Sequence, residues 1–158
     1  ADVRRILNKS RAMGLTLRTS LIVGFPGETE AQFQELLDFV REERFDRMGA
    51  FAYSPEEDTP AAAMPDQIPE EVKQDRLDRL MTLQAQISLE NNQKRVGATE
   101  KVLVTDAKDG FYLGRSEREA PDADGAIVFT AAQAPTIGEF VQVKITGADT
   151  YDLKGERV

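Results

Sequence analysis

Residues 18–30, RTSLIVGFPGETE, decide how the chain folds. Leu21, Ile22 and Val23 make a short apolar run of aliphatic and β-branched residues, which reads as a strand covered on both faces. Gly24 and Gly27 bracket Phe25-Pro26, so the backbone can turn sharply there and lies open to close approach. Thr29 offers an N-cap oxygen, and Gln32 completes a capping box for the helix that follows. The amides at that helix start face the same mouth as the glycines, an arrangement that admits an anion cradle. A junction of this kind, at the carboxyl end of a strand, is where α/β proteins hold ligands. It is equally the pattern of an ordinary tight βα connection.

Working outward, Asp2 to Met13 reads as a helix with Val3, Ile6 and Leu7 on one face and Gly14 as its C′ residue. The strand is expected from Leu15 to Val23. Beyond the turn, Phe33, Leu36, Leu37 and Val40 recur at helical spacing, and that helix ends near Glu43. A second strand is expected from Arg47 to Ser54, where Met48, Ala50 and Ala52 alternate with Gly49, Phe51 and Tyr53. Phe51 reads as a core aromatic; Tyr53 suits either the core or a stacking or hydrogen-bonding role. Helix, strand, helix, strand implies βα units with parallel strands and right-handed crossovers. Two such strands cannot close a core, so residues 1–92 are expected to be a cut through a larger sheet or barrel that does not fold alone.

The segment Ser54 to Glu71 carries four prolines and several acids, and either wraps a mouth or partner or serves as a solvated connector. Pro69 is placed as N1 of a long helix with Glu70 and Glu71 in its first turn and a buried stripe of Leu77, Leu80, Met81 and Ile87, running to about Asn92. From Val96 the period changes from that of a helix to that of a strand. Five short strands are expected at Val102–Val104, Phe111–Leu113, Ile127–Phe129, Val141–Ile145 and Tyr151–Leu153, with turns at Asp109-Gly110, Asp124-Gly125, Ile137-Gly138 and Gly147-Ala148. Val141, Val143 and Ile145 point to one face and Gln142, Lys144 and Thr146 to the other. The fold class is therefore α/β followed by all-β, with a small five-stranded OB-like barrel over residues 93–158.

The 158 residues carry a formal charge of −8 and contain no cysteine and no histidine. Disulfides, thiolate metal sites and the usual general base are excluded within them. Residues 1–92 hold 11 basic against 17 acidic side chains, and residues 93–158 hold 9 against 11, so neither half is a basic nucleic-acid-binding module. No apolar run reaches membrane-spanning length, and no signal peptide is evident, which leads to a cytoplasmic expectation.

Two further stretches bear on chemistry. Residues 114–125, GRSEREAPDADG, set Arg115 and Arg118 among Glu117, Glu119, Asp122 and Asp124, and such mixed sign suits a protein surface better than a phosphate backbone. Solvated surface is the plain alternative. The acid clusters Glu42-Glu43 and Glu56-Glu57-Asp58 read as solvated, since adjacent carboxylates on a helix point to different faces.

Taken in order, TSLIVGFPGET, FDRMGAFAYSPEEDTPAA, GRSEREAPDADG and GEFVQVKITGADTYDLKGE resemble the C-terminal part of the radical SAM methylthiotransferases. The resemblance implies that residues 1–92 are the last βα units of a partial TIM-like barrel that binds S-adenosylmethionine, and that residues 93–158 are a TRAM domain. It implies an adenosyl-group wall of Ile22, Gly24, Phe25, Phe51, Tyr53 and Ser54. In that setting close backbone approach to the adenosyl group matters more at Gly24 than phosphate charge.

Within the family, the branch that modifies tRNA adenosine has an arginine after the YSP motif and a basic TRAM domain. Here Glu56-Glu57 follow Tyr53-Ser54-Pro55, and the C-terminal half is acidic. Charge and motif both favour the branch that methylthiolates the β-carbon of an aspartate in a small-subunit ribosomal protein, with Arg115, Ser116, Arg118 and Glu119 as the expected contacts to that protein. The resemblance further implies two [4Fe–4S] clusters, held by cysteines in other segments, and a 5′-deoxyadenosyl radical. This chain supplies none of those ligands, so it is expected to be inactive alone and monomeric, with no catalytic or metal-binding residue of its own. A non-catalytic RNA- or protein-binding module is the reading from another class.

Overall fold

Helix α1 (Asp2–Ala12), strand β1 (Arg18–Val23), helix α2 (Glu30–Glu43), strand β2 (Arg47–Ala52) and helix α3 (Glu70–Gln93) follow one another in a computed structural model, which describes residues 2–158. The chain divides into two compact units, Ala1–Ile87 and Ser88–Val158, so residues 88–93 of α3 belong to the second. Gly14 closes α1 at φ +74°, its amide donating to the Arg11 carbonyl and that of Leu15 to Ser10. Thr29 and Gln32 form the full capping box on α2, and Phe33, Leu37 and Val40 are buried below it. Arg44, in left-handed backbone, ends that helix by donating its amide to the Val40 carbonyl.

Strands β1 and β2 pair in parallel, from Arg18 opposite Arg47 to Val23 opposite Ala52, as a two-stranded sheet. The first strand begins at Arg18 rather than Leu15, because the Leu17 amide is taken by the Asp46 carboxylate at 2.8 Å. The second stops at Ala52, although the Tyr53 amide still reaches the Val23 carbonyl at 2.8 Å. Burial on both faces of β1 does not hold. Val23 is fully buried, whereas Ile22 is 58% exposed and its neighbour Phe51 62% exposed. Alternation turns Leu21, Val23 and Ala50 into the core with Phe33 and Val40, and turns Ile22 and Phe51 to the other face, which no layer of this unit covers. Phe51 is thus not a core aromatic.

Helix α3 buries Leu80 and Ile87, with Leu77 and Met81 half-buried, but its stripe also carries the buried polar residues Lys73, Arg76, Gln84, Ser88 and Asn92. Pro69 precedes the helix: its carbonyl accepts the first helical bond, from the Lys73 amide at 3.1 Å, which is the N-cap role rather than N1. Glu43 is not solvated. It is 5% exposed and bridges Arg4 at 3.0 Å and Arg11 at 2.7 Å, two cations from α1 that spacing along one helix does not reveal. Glu56, Glu57 and Asp58 are exposed as expected.

In the second unit β3 (Thr99–Lys108), β4 (Phe111–Arg115), β5 (Ile127–Thr130), β6 (Phe140–Ala148) and β7 (Leu153–Arg157) close into a barrel in the order β3-β4-β5-β7-β6. Only the β5–β7 pair is parallel. Val102, Phe129, Val143, Ile145 and Leu153 fill the interior. The last strand was expected at Tyr151–Leu153 and lies at Leu153–Arg157 instead. Asp149 and Asp152 close a tight turn, amide to carbonyl at 2.8 Å, that leaves Tyr151 exposed. Gly155 sits within β7, where a Cβ would meet the Lys144 carbonyl at 2.8 Å. Gly147, expected in a turn, lies in β6 at a bulge after Ile145. No helix among the described residues is long and apolar enough to cross a membrane.

Candidate functional site

Parallel pairing brings the carboxyl ends of β1 and β2 side by side, so Ile22, Gly24 and Phe25 share one rim with Phe51, Tyr53 and Ser54. Ile22 and Phe51 are cross-strand neighbours and both exposed. Phe25 meets Tyr53 edge to face with ring centroids 5.3 Å apart, and Ser54 is exposed. The Tyr53 hydroxyl is buried without a hydrogen-bond partner among the described residues. Such a group costs about 1–3 kcal/mol until something satisfies it. The exposed side chains of Ile22, Phe25 and Phe51 make the rim fit a flat, largely apolar ligand.

The amides of the glycine turn itself are spent inside the fold, which weakens the anion-cradle reading. Gly24 donates to the Glu28 carboxylate at 2.9 Å, Gly27 to the Asp66 carbonyl at 3.0 Å, and Thr29 to Gln32 at 2.9 Å. Close approach at Gly24 is real, but it comes from within: a Cβ there would collide with the aliphatic chain of Lys73. The Lys73 ammonium in turn donates to the Tyr53 carbonyl at 2.9 Å and pairs with Glu70. Arg76, itself buried, holds the Glu28 carboxylate at 2.8 Å and the Glu28 carbonyl at 3.1 Å. Sequence reasoning missed Lys73 and Arg76, although both lie on the stripe of Leu77 and Leu80. Nearby, the hydrogen bond from Arg79 holds the exposed Glu30 carboxyl below its usual range. The segment before α3 is not a loose connector. Gln67 donates its side-chain amide to the Ala61 and Met64 carbonyls, and Asp66 ties the segment to the glycine turn.

The second candidate lies on the barrel, where a groove of about 730 Å³ runs between the start of β3, residues 115–118 and Phe140. The sequence-derived contacts separate into two kinds. Ser116 is 8% and Glu119 4% exposed, whereas Arg118 is exposed and Arg115 half-buried. Glu119 accepts from the Ser116 amide at 2.9 Å and hydroxyl at 2.8 Å, and pairs with Arg95 at 2.6 Å. Arg95 also pairs with Glu100 at 2.7 Å. Burial pushes the Glu119 carboxyl up, but the bonds from Arg95 and Ser116 outweigh it and leave its pKa below the usual value. Burial likewise pulls Arg95 down, and Glu100 and Glu119 more than offset that, so its pKa is raised. Ser116 and Glu119 thus fix the shape of the loop, and the two arginines are what it presents. Arg95 gave no signal in the sequence beyond its nearness to Glu100.

Among the described residues no group of acids could hold a metal ion, and the chain has no cysteine to ligate a cluster. A family model described as the TRAM domain matches residues 96–158. The chain is 52% identical over 160 residues to the ribosomal protein uS12 methylthiotransferase RimO of Heliobacterium modesticaldum, covering 99% of this chain and 35% of that protein. It is 55% identical over 146 residues to the protein of the same name from Desulforamulus reducens, covering 90% and 33%. With that of Escherichia fergusonii it shares 51% over 144 residues, 91% and 33%. The chain thus spans about a third of the length of the curated relatives it matches, and the resemblance read from its motifs is upheld over nearly its whole extent.

Proposed function

We propose that this chain is the C-terminal part of a radical S-adenosylmethionine methylthiotransferase that adds a methylthio group to the β-carbon of an aspartate in a small-subunit ribosomal protein, uS12. Residues 1–92 are then the end of the catalytic barrel, and residues 93–158 the TRAM domain. The observation that carries the reading is 52% identity across 99% of the chain to a relative named as a ribosomal protein uS12 methylthiotransferase. The acidic balance of both halves agrees with a protein substrate over tRNA.

S-adenosylmethionine, when bound, supplies the one-electron chemistry at the target carbon. The part of this chain is to form one wall of its site. Ile22 and Phe51 offer apolar area, and Phe25 and Tyr53 fix each other's rings. Lys73, under Gly24, holds the Tyr53 backbone in place. The family's iron–sulfur clusters find no thiolate here, so these residues take no part in holding them.

The test is a chimera in which this chain replaces the matching third of the Heliobacterium modesticaldum relative. With uS12, S-adenosylmethionine, a reductant and sulfide, mass spectrometry is expected to find one methylthio group on an aspartate. A folded chimera that instead modifies tRNA adenosine, or leaves uS12 unmodified while the parent relative modifies it, overturns the reading.

A further inference from the structure

We infer that the groove on the barrel is a docking site for an extended peptide segment bearing an acidic side chain, taken from a partner protein. This rests on the reading above insofar as that partner is the substrate protein.

The first observation is an open strand edge. β3 pairs with β6 over Thr99–Leu103, but with β4 only from Leu103 onward, where it lies opposite Arg115. Ahead of Leu103 the β4 side of β3 has no strand among the described residues, because the chain leaves β4 at Arg115 for the loop. Bonds from Ile145 to the Ala98 carbonyl and from Val104 to the Glu139 carbonyl, both 2.9 Å, set the phase of the ladder. Even-numbered residues of β3 face β6, so Thr99 and Lys101 turn their amides and carbonyls to the open side. An edge of this kind templates an added strand.

The second observation is charge. Along the sequence the loop's signs mix, but the fold removes carboxylates selectively. Glu119 and Glu100 are consumed by Arg95, and Asp124 accepts from the Ala120 amide. Facing the groove remain Lys101, Arg115 and Arg118 against Glu117, and those three cations form no ion pair among the described residues. A local positive patch on a chain of charge −8 attracts an isolated carboxylate, while a nucleic-acid backbone running beyond the patch meets like charge. Arginine forks match carboxylate geometry. Phe140, 61% exposed with the Lys101 ammonium 4.5 Å from its ring centroid, adds an apolar floor beside Leu103 for the neighbouring side chain of the peptide.

The experiment titrates a fluorescein-labelled octapeptide of alternating valine and aspartate into the 158-residue chain, following anisotropy and amide chemical shifts. Saturable binding with shifts at Thr99, Lys101 and Arg115 is expected. It should weaken by at least about tenfold in the Arg115→Ala, Arg118→Ala variant, whose core shifts report that the barrel is intact. N-methylation of alternate peptide amides should abolish it. Equal binding of a valine–lysine peptide, shifts elsewhere, no binding, or tighter binding of a uridine oligomer would each overturn the inference. The two proposals separate in the chimera. Full uS12 modification by the doubly substituted chimera overturns the groove as the substrate's dock and leaves the activity standing. A failure of the unsubstituted chimera overturns the activity, and the anisotropy still decides the groove.

Discussion

In the barrel every strand has two neighbours and Val143, Ile145 and Val102 are fully buried, whereas in the N-terminal unit β1 and β2 have only each other and Ile22 and Phe51 stand more than half exposed. Both units use the same apolar alphabet. What differs is closure: a closed sheet buries one face of each strand by its own curvature, and a two-stranded parallel sheet needs a second layer. Apolar side chains therefore mean different things in the two places. Inside the barrel they hold the fold, and on the strand-end rim Ile22 and Phe51 are exposed surface.

The largest effect is expected at the barrel core. Phe129→Ala removes a ring that is 1% exposed and should cost about 3–5 kcal/mol. Urea unfolding combined with hydrogen exchange should show the loss in residues 88–158. A loss below about 1 kcal/mol would mean that the barrel interior is as tolerant as the rim.

Next in size is the buried ion pair. Glu119→Ala leaves Arg95 with Glu100 alone and frees the Ser116 amide, at a cost of about 2–3 kcal/mol. The same group gives a pH signature. The Glu119 pKa is lower in the folded state, so its stabilisation is complete above the unfolded value of about 4.3 and is lost as pH falls through the lower folded value. Thermal melts from neutral pH down into that range should show the slope, and Glu119→Gln should flatten it.

A third, smaller effect crosses to the other unit. Gly24→Ala places a methyl against the Lys73 chain at φ +74° and should cost about 1–3 kcal/mol, because Lys73 is held at both its stem and its ammonium. Differential scanning calorimetry of the variant checks it, and an unchanged transition would show that Lys73 swings away freely.

These effects also show what could be read from the residues alone. The capping box at Thr29 and Gln32, the Gly14 helix stop and the alternation through Val141, Val143 and Ile145 are local rules, and the fold obeys them. Glu43 looked solvated because its partners Arg4 and Arg11 come from another helix, and Ser116 and Glu119 looked like surface because Arg95 lies far along the chain. Polar residues on a buried stripe, such as Lys73 and Arg76, carry no signal in a pattern that scores apolar spacing. Gly147 reads as a turn residue but lies inside β6, where its pairing with Lys154 of β7 follows a bulge. What local pattern misses in each case is a partner distant in sequence.

The smallest effect separates the two meanings of an apolar side chain most cleanly. Ile22→Thr and Phe51→Ser replace side chains already 58% and 62% exposed, so little area returns to water on unfolding, and each should change the stability of this chain by no more than about 0.5 kcal/mol. Threonine retains strand propensity at position 22, and the backbone pairing of Ile22 with Phe51 is kept in either variant. In the chimera the same substitutions remove apolar area from the proposed adenosyl wall, and equilibrium dialysis should show weaker retention of S-adenosylmethionine without loss of folded protein. A stability loss as large as that of Phe129→Ala would place Ile22 and Phe51 in a core after all. Unchanged stability together with unchanged retention would leave them as surface with no ligand, and the rim of β1 and β2 would lose its assigned role.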